Sequence, residues 1–148
     1  MNKRHSVHQT QWAAQFAVAS ELCKRNYQVA LSLGNQPGFD LMVMSPNADT
    51  FPVEVKGLYK RSYWRMEKKK LHPKLFYVFA FVPDGDERNR FFVMTQKTVD
   101  RFIDQHRKEG GNSPKHVSGI QWPIVEKYEN RWDILPGYKS WSTIRSGN

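Results

Sequence analysis

Cysteine is almost missing from this chain. Cys23 stands alone, so no disulfide can form within it. Acidic residues are also scarce beside basic ones, 14 against 23, which leaves a formal net charge of +9. That excess excludes an acidic, solvating protein and points to a polyanionic partner, nucleic acid first. No apolar run approaches the length of a membrane span, so no membrane partner is expected. The opening residues imitate a secretory leader, with basic "MNKRH" ahead of "WAAQFAVAS". Gln15 interrupts that stretch, and Glu21 and Lys24 continue the same helical pattern, so it reads as a helix rather than a leader. With a lone cysteine, the expected location is cytoplasmic. No internal repeat, linker or second core is visible, so residues 1–148 read as one domain.

What is present is enough for a packed core: 39% apolar residues, 14% of the chain aromatic. Residues 9–25 read as a helix, with Trp12, Phe16, Ala19 and Cys23 recurring at helical spacing and Asn26 as the stop. Cys23 on that face reads as packing. "YQVALSL" reads as a strand closed by the loop "GNQPG". "FDLMVMS" and "FPVEVKG" are two more, joined by the turn "PNAD" as a hairpin. Residues 59–71 are basic and read as partly helical. "LFYVFAFV" is the central strand, "RFFVMT" returns from the turn "PDGDERN", and Thr95 caps a helix over 96–108. "KEGGNSPKH" is a loop, and the tail from Gly119 shows little periodicity. The order defines an α/β or α+β sheet domain.

The chemistry concentrates between Gly38 and Gly57, "GFDLMVMSPNADTFPVEVKG". Side chains alternate along a strand, so Phe51, Val53 and Val55 face one way while Glu54 and Lys56 face the other. The hairpin brings Asp40 alongside them. Two carboxylates and an ammonium at one place suit a hard divalent metal such as Mg²⁺ held by Asp40 and Glu54, with Lys56 beside a scissile phosphate or a metal-bound water. Helix phase turns Gln15 inward and Glu21 away, so Gln15 is the helix residue able to join them, through a neutral amide oxygen. Lys60, Arg61, Arg65, Lys68, Lys69 and Lys70 crowd one segment interleaved with Tyr59, Tyr63 and Trp64, a mixture suited to phosphate contact and base stacking. Trp64 is equally well explained as a core residue.

Asp40 followed across a hairpin by Glu54-Val55-Lys56, behind a helix and a strand, resembles the PD-(D/E)XK nuclease superfamily. The stretches "AAQFAVASELCKRNYQVALSLGNQPGFDLMVM", "FPVEVKG", "SYWRMEKKKLHPKLFYVFAFV" and "ENRWDIL" together resemble a family of small bacterial proteins assigned to it. The resemblance implies a restriction-endonuclease-like core, a mixed central sheet flanked by helices in the order α-β-β-β-α-β. It implies Mg²⁺ or Mn²⁺ at Asp40 and Glu54, Lys56 as the catalytic lysine, DNA as substrate, and a homodimer where both strands are cut. The sequence departs from the pattern at Phe39, where the motif has proline, and at Gln15, where many relatives carry glutamate.

Plainer alternatives stand beside each reading. Asp40, Glu54 and Lys56 could be a cross-strand ion pair at a sheet edge. The basic segment could be a solvated face. His72 and His106 are lone histidines of the surface or structural kind, and "RWDIL" places Trp132 in a core with Arg131 paired to Asp133. A nucleic-acid-binding module with weakened catalysis fits the Gln15 departure, and a protein-interaction component is a third class.

Overall fold

The computed structural model describes residues 6–32, 38–110 and 118–147. The loop "GNQPG" lies outside them except for Gly38, as do "MNKRH" and all but the first three residues of "KEGGNSPKH". Helix α1 spans Val7–Lys24. Ser6 starts it with a capping box, its hydroxyl accepting from Gln9 N while the Gln9 side chain accepts from Ser6 N. Asn26, the expected stop, takes the left-handed φ of 66° that ends a helix. Strands β1 (Gln28–Leu31), β2 (Leu41–Met44) and β3 (Thr50–Leu58) follow as an antiparallel meander. In the β2–β3 turn the Ser45 hydroxyl accepts from Asn47 N and Asp49 N, at 3.2 and 3.1 Å.

A short strand β4 (Tyr63–Arg65) precedes β5 (Phe76–Phe81), which joins β3 in parallel. Strand β6 (Arg90–Thr95) returns antiparallel to β5 and leads into α2 (Gln96–Gly110). The Thr95 hydroxyl accepts from Thr98 N at 3.2 Å, as its capping position requires. The result is a five-stranded mixed sheet, order β1-β2-β3-β5-β6, flanked by helices. One face packs Val53, Val55, Val78 and Val93 against Ala14, Val18 and Leu22 of α1. The other packs Tyr77, Phe79, Phe92 and Met94 against Val99 and Ile103 of α2.

Three expectations are corrected. The buried face of α1 is Ala14, Gln15, Val18 and Leu22, whereas Trp12 and Phe16 are exposed and stack on one another at 5.5 Å. Cys23 is exposed rather than packed. The physical reason is close approach: a Cβ on Gly57 of β3 would lie 2.7 Å from Ala14 Cβ, so the helix rests on its small residues, not its large ones. The basic segment holds no helix. It forms β4, paired antiparallel with β7 (Gly119–Gln121), and then runs without regular structure to Leu75. Trp64 is buried and stacks on Trp122 at 5.2 Å, which fixes this two-stranded sheet to the core. The tail is ordered as well, through α3 (Trp122–Val125), two 3-10 turns and α4 (Trp141–Ser146). Trp132 sits in the core and Arg131 pairs with Asp133.

The close approach at Gly57 makes a prediction. Gly57→Ala should force α1 off the sheet and lower stability by about 1–3 kcal/mol, as overpacking does. The unfolding midpoint in urea measures it; an unchanged midpoint would mean that the helix shifts freely.

Candidate active site

Strands β2 and β3 part at Asp40. Just outside the ladder Asp40 N donates to Val53 O at 3.1 Å, while Asp40 O accepts from Ser32 N at 2.9 Å. Strand β3 continues to Leu58, so the Val55 backbone would be left bare along that edge. Two side chains take it up. Asp40 Oδ2 accepts from Val55 N at 2.8 Å, and Gln11 Nε2 of α1 donates to Val55 O at 2.9 Å. The parting of the strands is therefore a polar gap inside an otherwise apolar sheet.

Gln15, one helical turn after Gln11, enters the same gap. It is 8% exposed and donates from Nε2 to Asp40 Oδ1 at 3.1 Å. Its Oε1 is buried without a partner. An unpaired buried oxygen costs free energy unless something donates to it or a cation meets it.

Glu54 and Lys56 face away from Val53 and Val55, on the side of Tyr77 and Phe79, with which they are in register. Glu54 is 5% exposed and lies between two ammonium groups. Lys56 Nζ is 2.9 Å from Oε1, and Lys69 Nζ is 2.7 Å from Oε2. Burial pushes the Asp40 carboxyl above its ordinary range. The Val55 N–H opposes that shift, the nearby Glu54 charge adds to it, and Lys56 and Lys69 oppose it. The Tyr77 hydroxyl beside Glu54 is buried without a partner, and burial raises it as well.

Asp40, Glu54, Lys56 and Gln15 are thus brought together. The basic residues are not. Lys69 turns into the gap, and Lys68 pairs with Asp104 at 2.9 Å. Arg61 reaches Glu87 at 3.4 Å and covers Trp122, Arg65 lies over Tyr63, and Lys60 lies over Tyr59. Lys70 is exposed. His72 Nδ1 accepts from Lys74 N, and His106 packs beside the Tyr63 ring. A cavity of about 490 Å³ opens beside Lys56, lined by Thr10, Gln11, Tyr59, Ser62 and Tyr63 among others.

Sequence reasoning missed Gln11, Tyr77 and the inward turn of Lys69. Gln11 was within reach, since it precedes Gln15 by one turn on the same face. The other two depend on the parallel β3–β5 register and on a segment without periodicity.

Fold and gap together describe a mixed α/β core with acidic and basic groups where two strands diverge. The solved structure of the bacterial homing endonuclease I-Ssp6803I is similar in fold: TM-score 0.56, 17% identity, with 88% of this chain and 93% of that chain covered. No family model and no curated protein sequence matches the chain. Among the described residues no helix is long and apolar enough to cross a membrane.

Proposed function

We propose that this protein is a divalent-metal-dependent nuclease of the PD-(D/E)XK type that hydrolyses phosphodiester bonds in DNA. The observation that carries the reading is the meeting of Asp40, Glu54, Lys56 and Gln15 at the parting of β2 and β3. The likeness in fold to a homing endonuclease and the net charge of +9 support it and favour DNA.

The donor set fits a hard cation. Among the described residues no group of three or more histidine, cysteine and acidic side chains is placed to hold a metal ion. A cation here would draw on Asp40, Glu54 and neutral oxygens such as the orphaned Gln15 Oε1, a mixture that suits Mg²⁺ or Mn²⁺ with retained waters. When bound, it would supply Lewis-acid stabilisation of charge at the phosphate and a more acidic water. Lys56, anchored on a core strand, holds a positive charge where negative charge grows on the phosphate. The backbone of β3 keeps that charge in place, with Trp64 Nε1 donating to Lys56 O at 3.0 Å. The cavity beside Lys56 offers room for a nucleotide flanking the cut, with Tyr59 and Tyr63 as ring surfaces.

The test is cleavage of supercoiled, linear, branched and single-stranded DNA with Mg²⁺ or Mn²⁺, beside Lys56→Ala. Cleavage by the wild type and a loss of about 10²–10³-fold in the variant are expected. Equal nicking by both would assign the activity to a contaminant. A homodimer, with one subunit for each strand, belongs to the same reading, and sedimentation equilibrium tests it.

A second reading, a nucleic-acid-binding module with weakened catalysis, draws support from the neutral Gln15 and from the lysines on both Glu54 oxygens. Both readings share a salt-dependent affinity. Neutralising Lys60, Arg61, Arg65 and Lys70 should flatten the slope of log affinity against log salt by about 0.9 for each phosphate left without its cation. Neutralising Lys68, already paired with Asp104, should change it less. The reverse ranking would move the binding surface to the α2 side.

A further inference from the structure

Lys69 leaves the surface of the basic segment and turns to Glu54. Its ammonium lies 2.7 Å from Glu54 Oε2 and 3.4 Å from the Gly38 carbonyl oxygen. Those are a carboxylate and a carbonyl, the oxygen types that hold a hard cation. Lys69 is delivered by a segment without regular structure, yet that segment is tied down. The buried Gln96 at the start of α2 donates from Nε2 to Lys69 O at 3.3 Å and Lys70 O at 3.1 Å, and its Oε1 accepts from His72 N at 2.8 Å. The backbone is therefore fixed while the lysine side chain is 38% exposed and can swing. Lys56 is less exposed, at 27%, and rides on a core strand.

Charge balance gives this arrangement a meaning. Asp40 and Glu54 are offset by Lys56 and Lys69, so the formal charges of these four side chains balance. A divalent ion added to all four would leave two positive charges in excess and would have to share Glu54 with both ammoniums. With Lys69 withdrawn, one positive charge remains, which matches the single negative charge of a phosphodiester.

We propose that Lys69 is a built-in cation that holds Glu54 in the place of a divalent metal and competes with that metal for it. This inference rests on the nuclease reading above.

The experiment titrates Mn²⁺ by calorimetry into the full chain, wild type, Lys69→Met, Lys69→Arg and Glu54→Gln, with circular dichroism confirming that each is folded. Lys69→Met removes the competitor and should bind Mn²⁺ about tenfold more tightly. Lys69→Arg offers Glu54 a two-pronged guanidinium and should bind more weakly than wild type. Glu54→Gln should not bind. Wild-type binding that Glu54→Gln abolishes, but that both Lys69 variants leave unchanged or shift in the same direction, overturns the inference and spares the metal site. Absence of Mn²⁺ binding in wild type and Lys69→Met alike overturns the metal site, and the inference with it.

Discussion

Asp40→Asn should leave a protein that is folded, no less stable than the wild type, and unable to cut. Wild-type Asp40 carries a carboxyl pushed above its ordinary value, chiefly by burial and further by Glu54, despite Lys56 and Lys69. Its ionised form is therefore disfavoured in the folded state, and ionisation subtracts from stability. That loss is complete above the raised value and absent below the ordinary one of 3.8. Asparagine never incurs it. Its oxygen can still accept from Val55 N, and its amide nitrogen can donate to Gln15 Oε1 once the Gln15 amide turns over, so the hydrogen bond between the two side chains is kept. A gain of roughly 0.5–2 kcal/mol at neutral pH is expected, the usual size when a site tuned for function is relaxed. The gain should fade as pH falls towards the ordinary carboxyl value. Cleavage should drop by at least about 10²–10³-fold, since a charge placed for the reaction is removed. Thermal unfolding at neutral and acid pH, run beside the cleavage assay, separates the outcomes. A variant clearly less stable at neutral pH would make Asp40 a structural cap for Val55 and favour the plain ion-pair alternative.

Much of this geometry is legible in the sequence because it is local. The β2–β3 hairpin follows from two apolar runs around "PNAD", and its register, which ends at Leu41 opposite Val53, brings Asp40 beside the stretch of β3 that carries Glu54. Gln15 faces inward by helix phase alone. The apolar face around it misleads, since Trp12 and Phe16 are the larger residues and size is a poor guide to burial on this helix. The packing is decided instead by Gly57, whose missing side chain admits Ala14 and Thr10. The basic segment misleads for a different reason. Strand β4 exists because β7, more than fifty residues further on, pairs with it. The lysines there look alike in sequence, yet Lys68 is claimed by Asp104 on α2 and Lys69 by Glu54 on β3. Partners on distant elements leave no periodicity to read.

The second large effect is expected at Gln15. Gln15→Glu would set a third carboxylate against Asp40, at a place where Nε2 now donates to Asp40 Oδ1 across 3.1 Å. Two buried carboxylates at that range cannot both ionise freely, so one must hold a proton or repel the other. Without metal the variant should lose about 1–3 kcal/mol at neutral pH, the cost of an unpaired buried charge softened by proton sharing. With Mg²⁺ the sign reverses, because the added charge attracts the ion in a partly desolvated gap. The melting temperature should therefore climb more steeply with Mg²⁺ in the variant than in the wild type, since binding to the folded state alone raises stability by mass action. Cleavage then divides the two functional readings. A rise marks a nuclease weakened by its neutral amide; little change or a fall marks an enzyme already tuned to that amide. If the Mg²⁺ dependence of melting matches the wild type, Gln15 does not face the metal, and its hydrogen bond to Asp40 serves the fold alone.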